Sequence, residues 1–189
     1  MSCAGYLSCP VCGASLADSG GSARCERGHA FDYARSGYLN LARANGRPRV
    51  GDTAAMIEAR AEFLASGHYE PIAGAVADAG AEAVAAAATD AASPATRLLA
   101  EIGSGTGYYL GAATRRLRQR DLEPECAVGV DLSKSAAAHA SRRHPELRFV
   151  VADVEDGIPL GDATADLVLS VFAPRPAAEL GRVVRPGAS

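Results

Sequence analysis

The chain has one lysine, Lys134, among its 19 basic residues, and no apolar run approaching the roughly 20 residues that a membrane-spanning helix needs. Its first ten residues lack the apolar centre of a secretory signal. These absences argue against a helical membrane protein and an exported one, so the expectation is a cytoplasmic protein with no membrane partner. Net positive charge is missing as well. The balance is −3, which counts against a surface that is basic throughout. That average hides one concentration, because Arg24, Arg27, Arg35, Arg43, Arg47 and Arg49 face only Glu26 and Asp32 in the same stretch. Arginine suits bidentate phosphate contact. A genomic bias towards arginine would produce the same pattern.

An even number of cysteines is lacking too. Of the five, Cys9, Cys12 and Cys25 combine with His29 in the spacing C-x2-C-x12-C-x3-H. In a reducing compartment this favours a metal over disulfides. Zinc takes four soft or borderline ligands in a tetrahedron, and two cysteines spaced by two residues supply a pair from one tight knuckle. Pro10 and Gly13 suit the first turn, and Gly28 the second. With all four positions filled by protein ligands, a structural site closed to water is expected. The competing reading is a redox Cys-x-x-Cys, which leaves Cys25 and His29 unexplained. Cys3 and Cys126 fall outside the set.

Residues 8–30 read as a zinc ribbon, and residues 35–51 as a basic linker with Tyr33 and Tyr38 close by. Asp52 is the expected cap of a helix over 54–65, and a second helix runs through the alanine-rich stretch to about residue 88. Beyond a polar loop at 89–96, strand and helix patterns alternate. Strands are expected at 97–102, 126–130, 147–152 and 167–172, with helices at 108–120, 133–144 (capped by Ser133) and 177–184. Strands apolar on both faces, alternating with helices, imply a parallel sheet covered on both sides. The expected division is a zinc module over 1–34, a basic linker with helices over 35–92, and the α/β domain over 93–189. Four strands are expected, with the sheet stopping after the fourth, so that either the product is short or a second copy completes it as a homodimer.

The segment Glu101-Ile-Gly-Ser-Gly-Thr-Gly107 follows a strand and opens a helix, as a cofactor loop must. A dinucleotide fingerprint would need glycine at 108, where this chain has Tyr108. The spacing G-x-G-x-G led by an acid is the form found with S-adenosylmethionine, whose ammonium group Glu101 can meet directly or through water. Asp131 ends the next strand, placed for both ribose hydroxyls, and Asp153 follows the third, placed for the adenine amino group. Gly103, Gly105, Gly107 and Tyr109 complete the cofactor set. The alternative is that Asp131 and Asp153 only cap turns.

These residues closely resemble one family, the zinc-containing guanine-N1 methyltransferases of 23S rRNA, which includes macrolide-resistance enzymes. The resemblance covers nearly the whole chain. It rests on the zinc quartet, on Phe31-Asp32, on Gly37-Tyr38-Leu39-Asn40-Leu41 and on Gly51-Asp52. It continues through Met56, Ala59-Arg60, Phe63-Leu64, Ser66-Gly67-His68-Tyr69 and Pro71 to the glycine loop, Asp131-Leu-Ser-Lys134 and Phe172-Ala-Pro-Arg175. It implies a Rossmann-like class I methyltransferase fold with an N-terminal zinc ribbon. The implied cofactors are S-adenosylmethionine and structural zinc, and the implied partner is a 23S rRNA hairpin. N1 lies on the Watson–Crick edge, so the guanine must leave its stack and enter a pocket. Arg35, Tyr38, Arg43 and Arg47 are then candidate RNA contacts. Phe172 and Pro174 are candidates for lining the target base, where Phe172 or Tyr109 can stack or simply fill the core. No catalytic base is identified, since no aspartate stands in residues 172–174. The readings left open are an active rRNA methyltransferase and a catalytically inactive remnant that keeps the zinc and RNA contact; a small-molecule methyltransferase is disfavoured by the zinc module.

Overall fold

A computed structural model describes residues 3–43, 50–88 and 98–188. The candidate Arg47 and the boundary expected at 92–93 lie outside them. The first sheet is antiparallel and local: β1 (Leu16–Ser19), β2 (Ser22–Cys25) and β3 (Ala30–Asp32), in that order. The second is wholly parallel and has five strands, not four. It contains β4 (Leu39–Asn40), β5 (Leu98–Ile102), β6 (Cys126–Asp131), β7 (Arg148–Val151) and β8 (Leu167–Leu169), in the order β4-β7-β6-β5-β8.

The unexpected strand is β4. Leu39 and Asn40 pair with Val150 and Val151, so the basic linker supplies an edge strand of the main sheet. Two residues are too few to show a period of two, and only their register against β7 makes them a strand. The fourth expected strand is shorter than forecast, ending at Leu169 rather than at 172. All five residues of β5 are buried, as strands covered on both faces should be.

Helices α1 (Ala54–Ala65), α2 (Glu70–Ala88), α3 (Tyr108–Gln119), α4 (Lys134–Arg143) and α5 (Ala177–Val183) cover the sheet. The cap of α1 is Thr53, whose side chain accepts from the Met56 N–H at 3.3 Å. Asp52, the expected cap, instead forms an ion pair with Arg60 at 2.6 Å. Ser133 does cap α4, accepting from the Ala136 N–H at 3.1 Å. None of the described helices is long and apolar enough to cross a membrane.

The ribbon is fused to the sheet rather than tethered to it. Leu7 bridges to Leu160, and the Gly161 N–H donates to the Tyr6 carbonyl. Leu7, Leu16 and Ala23 share one buried cluster with Val128, Val150, Ile158 and Leu160. Cys3 and Cys126 are joined by a disulfide with Cα atoms 5.5 Å apart, tying the N-terminus to the start of β6. Cys3 and Cys126 are the two cysteines outside the metal set, and no pairing is expected for them from the sequence. The fold brings this pair together across 123 residues.

Candidate active site and zinc centre

Cys9, Cys12, Cys25 and His29 offer ligand atoms that all lie within 4.8 Å of one another. Cys25 Sγ is 3.3 Å from His29 Nδ1, and Cys12 Sγ is 3.7 Å from Cys25 Sγ. A zinc tetrahedron with metal–sulfur bonds of about 2.3 Å has edges of about 3.8 Å, so the donors already stand at the corners. Burial raises the Cys25 thiol, but hydrogen bonds from the His29 and Arg27 backbone, then from the His29 and Cys12 side chains, outweigh it and bring it to about 6. A thiolate is what the metal requires. The residues fit zinc, with no ligand position left for water.

On the main sheet the ends of β5, β6 and β7 bring three acids to the carboxyl edge. The reversal of strand order between β5 and β8 makes that edge the place where such sheets bind ligands. The loop at 103–107 is tied to β6 by N–H groups of Gly103 and Ser104 that both donate to the Val130 carbonyl. Gly103 has φ +69, and a Cβ there would lie 2.4 Å from that of Ala173, so only glycine admits the close crossing of the segment after β8.

Asp131 accepts from the Gly105 N–H at Oδ2 and from the Ser133 N–H at Oδ1, both at 2.8 Å. Burial raises its pKa, and the two backbone donors oppose that. Glu101 is fully buried. Its Oε2 accepts from the Leu110 N–H at 3.0 Å, while Oε1 is buried with no hydrogen-bond partner. Burial first, and then the charge of Asp131, push its pKa to about 8. An orphaned buried carboxylate oxygen beneath a glycine loop fits a cationic ligand group, and the ammonium of S-adenosylmethionine is one. Asp153 accepts from the Glu155 N–H at 3.0 Å and borders a different opening, a groove of about 610 Å³ beside the zinc knuckle.

A cavity of about 270 Å³ opens directly on the glycine loop. Its walls include Arg60, Phe63, Tyr69, Tyr108, Tyr109 and Phe172. Ring centroids are 5.4 Å apart for Phe63 and Tyr69, 6.1 Å for Tyr69 and Phe172, and 6.5 Å for Tyr109 and Phe172. Phe172 is 75% exposed and sits at φ +53, a backbone conformation that costs a bulky side chain free energy. The strained backbone thus holds an apolar ring in the open at the cavity mouth. Pro174 is exposed and lies outside the lining, its carbonyl accepting from the Ser170 hydroxyl. Arg60, Phe63 and Tyr69 belong to motifs legible in the sequence, yet only the fold of α1 over the glycine loop gives them this role.

The basic candidates are not gathered into one patch. Arg35 and Tyr38 stand before β4, at the amino end of the sheet, where Tyr38 packs against the core cluster containing Phe149 and Ala140. Arg43 follows β4 and faces the groove, among Asp153, Asp156, Asp162 and Glu179. There Arg182 holds Glu179 and Asp162, each at 2.7 Å. Arg182 chiefly, with Arg43 adding, keeps Glu179 below the usual carboxylate range.

Two family models match the chain: the N-terminal zinc ribbon of RlmA over residues 7–45, and a methyltransferase domain over residues 99–187. The chain is 41% identical over 184 residues to the "23S rRNA (guanine(748)-N(1))-methyltransferase" of Streptomyces fradiae, a match covering 96% of this chain and 60% of that protein. It is 43% identical to the "Putative 23S rRNA (guanine-N(1)-)-methyltransferase" of Micromonospora griseorubida, covering 96% and 62%. The chain thus spans about three fifths of the length of these curated relatives. A crystal structure from Methanococcus maripaludis, described as a putative S-adenosyl-L-methionine-dependent methyltransferase, superposes with a TM-score of 0.52 at 19% identity, covering 74% of this chain and 64% of that one, and shows the shared fold. The chain thus joins an RlmA-type zinc ribbon to a class I methyltransferase domain, and it is similar across both to 23S rRNA (guanine-N1)-methyltransferases over about three fifths of their length.

Proposed function

We propose that the chain methylates N1 of a guanine in a hairpin loop of 23S rRNA, acting in the cytoplasm. The observation that carries this reading is the aromatic-walled cavity on the glycine loop. It is sized for one planar base, and Phe172 is exposed at its mouth. Bound S-adenosylmethionine would supply the electrophilic methyl group. Glu101 would meet its ammonium group and Asp131 its ribose, each from the position described above. The rings of Phe172, Tyr69 and Tyr109 would hold an unstacked guanine with its Watson–Crick edge towards Gly103 and Gly105. Positioning supplies most of the catalysis, since alignment of two reactants alone can lower a barrier by about 7–11 kcal/mol. As the N1–carbon bond forms, the methyl–sulfur bond would break and the N1 proton would pass to solvent. The described cavity lining carries no carboxylate to receive it.

The test is incubation of the zinc-loaded chain with methyl-labelled S-adenosylmethionine and unmodified large-subunit rRNA, with the modified base mapped by arrest of reverse transcription. Asp131→Ala is expected to abolish transfer by loss of cofactor binding. Phe172→Ala is expected to lower kcat/KM for RNA about ten- to hundredfold while leaving cofactor affinity unchanged, in line with about 1–3 kcal/mol for one stacked base. Intact cofactor binding with no label in any RNA would replace the proposal with the inactive-remnant reading.

A further inference from the structure

Beside the base cavity lies a second, smaller one of about 170 Å³, walled by three helices. Its basic groups are Arg115 of α3, with His139 and Arg143 of α4 and His144 at the C-cap of α4, while Ala61, Leu64 and Ala65 of α1 close the other side. No carboxylate is in the lining. Glu58 and Glu146 stand nearby; Glu146 lies 3.6 Å from His144 Nδ1, and Glu58 acts on His139 from a distance. Arg115 and Arg143 are both exposed and form no ion pair among the described residues. That sets them apart from their neighbours on α3, since Arg116 and Arg120 pair with Asp78, and Arg118 with Glu123.

The fold makes specific room for this arrangement. A Cβ at position 111 would lie 2.8 Å from the His144 ring, so glycine there lets the imidazole seat against α3. Both imidazoles titrate below the usual histidine value, through burial first. Arg142 and Arg143 add to this at His139, as do Arg143 and Arg115 at His144. The pocket is thus lined by two guanidinium groups that have no carboxylate partner among the described residues. It shares Leu64, Thr106 and Tyr108 with the base cavity, so the two openings are separated by little more than the Tyr108 ring.

We propose that this pocket receives a backbone phosphate of the RNA strand next to the guanine in the aromatic cavity, with Arg115 and Arg143 as its ligands. The inference rests on the RNA reading above and assigns the strand a path over α3 and α4, away from the zinc knuckle and its acid-rich groove. Guanidinium groups match phosphate oxygens in pairs, and a phosphate held beside an unstacked base fixes the rotation of that base.

The experiment measures equilibrium binding of a fluorescent large-subunit rRNA hairpin to the zinc-loaded full chain across a salt series. Wild type is compared with Arg115→Ala, Arg143→Ala, the double variant and Arg118→Ala. The double variant is expected to bind about tenfold more weakly, and its log–log salt slope to fall by about 0.7, the value for one phosphate contact on a single strand. Arg118→Ala, like each single variant, removes one positive charge, here from the outer side of α3, and is expected to match wild type. Cofactor affinity should be the same in all four variants, which shows that the site itself is intact. A double variant that binds as wild type does would overturn the phosphate site and leave the RNA reading standing. Wild type that binds no RNA would overturn both. Inorganic phosphate that raises the melting temperature of wild type but not of the double variant, with RNA affinity unchanged, would reassign the pocket to a free anion and also overturn the proposal.

Discussion

Removal of zinc is expected to lower the melting temperature by roughly 20 °C or more and to disorganise more than the ribbon. Structural zinc contributes about 10–16 kcal/mol in small modules, comparable with the entire stability of a domain. In a chain of this size each kcal/mol moves the midpoint by about 2–4 °C. The effect should reach the main sheet because Leu7, Leu16 and Ala23 share a core with Val128, Val150 and Leu160. Loss of the ribbon's fold would expose that side of β6 and β7. A chelator titration followed by near- and far-ultraviolet dichroism should therefore show a single transition, with loss of the sheet signal as well. Cys25→Ser should behave as the stripped protein does. Less than about half an equivalent of zinc after chelator-free purification, or a melting curve indifferent to chelator, would refute this account of the site.

The second large effect concerns Glu101. Its carboxyl is raised from 4.5 to about 8 in the folded chain, chiefly by burial. Below pH 4.5 the folded and unfolded states both hold the proton and nothing is lost. Between 4.5 and 8 the unfolded chain has released it while the folded chain retains it, so stability falls as pH rises. The loss levels off above pH 8 at roughly 5 kcal/mol, taking about 1.4 kcal/mol per pH unit. Glu101→Gln resembles the protonated form and keeps an acceptor for the Leu110 N–H. Without cofactor it should be the more stable protein at pH 8 and equal to wild type near pH 4.5. With cofactor the gap narrows, because the variant offers no charge to an ammonium group. Its affinity for S-adenosylmethionine should drop at least tenfold, in line with the 1.5–3 kcal/mol of a hydrogen bond to a charged group. Identical stability–pH profiles for the two proteins would show that the buried carboxyl does not titrate in this way.

Much of this site could be read from residue types and spacing. The zinc quartet needs only the separation of four ligands, and these meet as expected. Glu101 and Asp131 were placed by the rule that strand ends face the ligand, and β5 and β6 ended close to where their composition stopped being apolar. Other features exist only as long-range pairings. β4 is two residues long and has no pattern until Val150 and Val151 lie beside it. Cys3 and Cys126 carry no local sign of their bond. The arginines between 24 and 49 are concentrated in sequence, yet β4 sends Arg35 and Arg43 to opposite ends of the sheet. The unpaired guanidinium groups near the site instead sit on α3 and α4, in a run of arginines whose composition does not reveal which of them are neutralised.

The pairing of Leu39 with Val150 also orders events during synthesis. β1, β2 and β3 can close as soon as residue 32 is available, and the quartet can then take its metal. Yet the partners of Cys3, Leu7 and Leu39 are Cys126, Leu160 and Val150, each more than a hundred residues further on. At about 5–20 residues per second, the finished ribbon waits on the ribosome for roughly five to twenty seconds with its inner face uncovered. During that interval metal-loaded ribbon and unfolded catalytic chain coexist on one polypeptide.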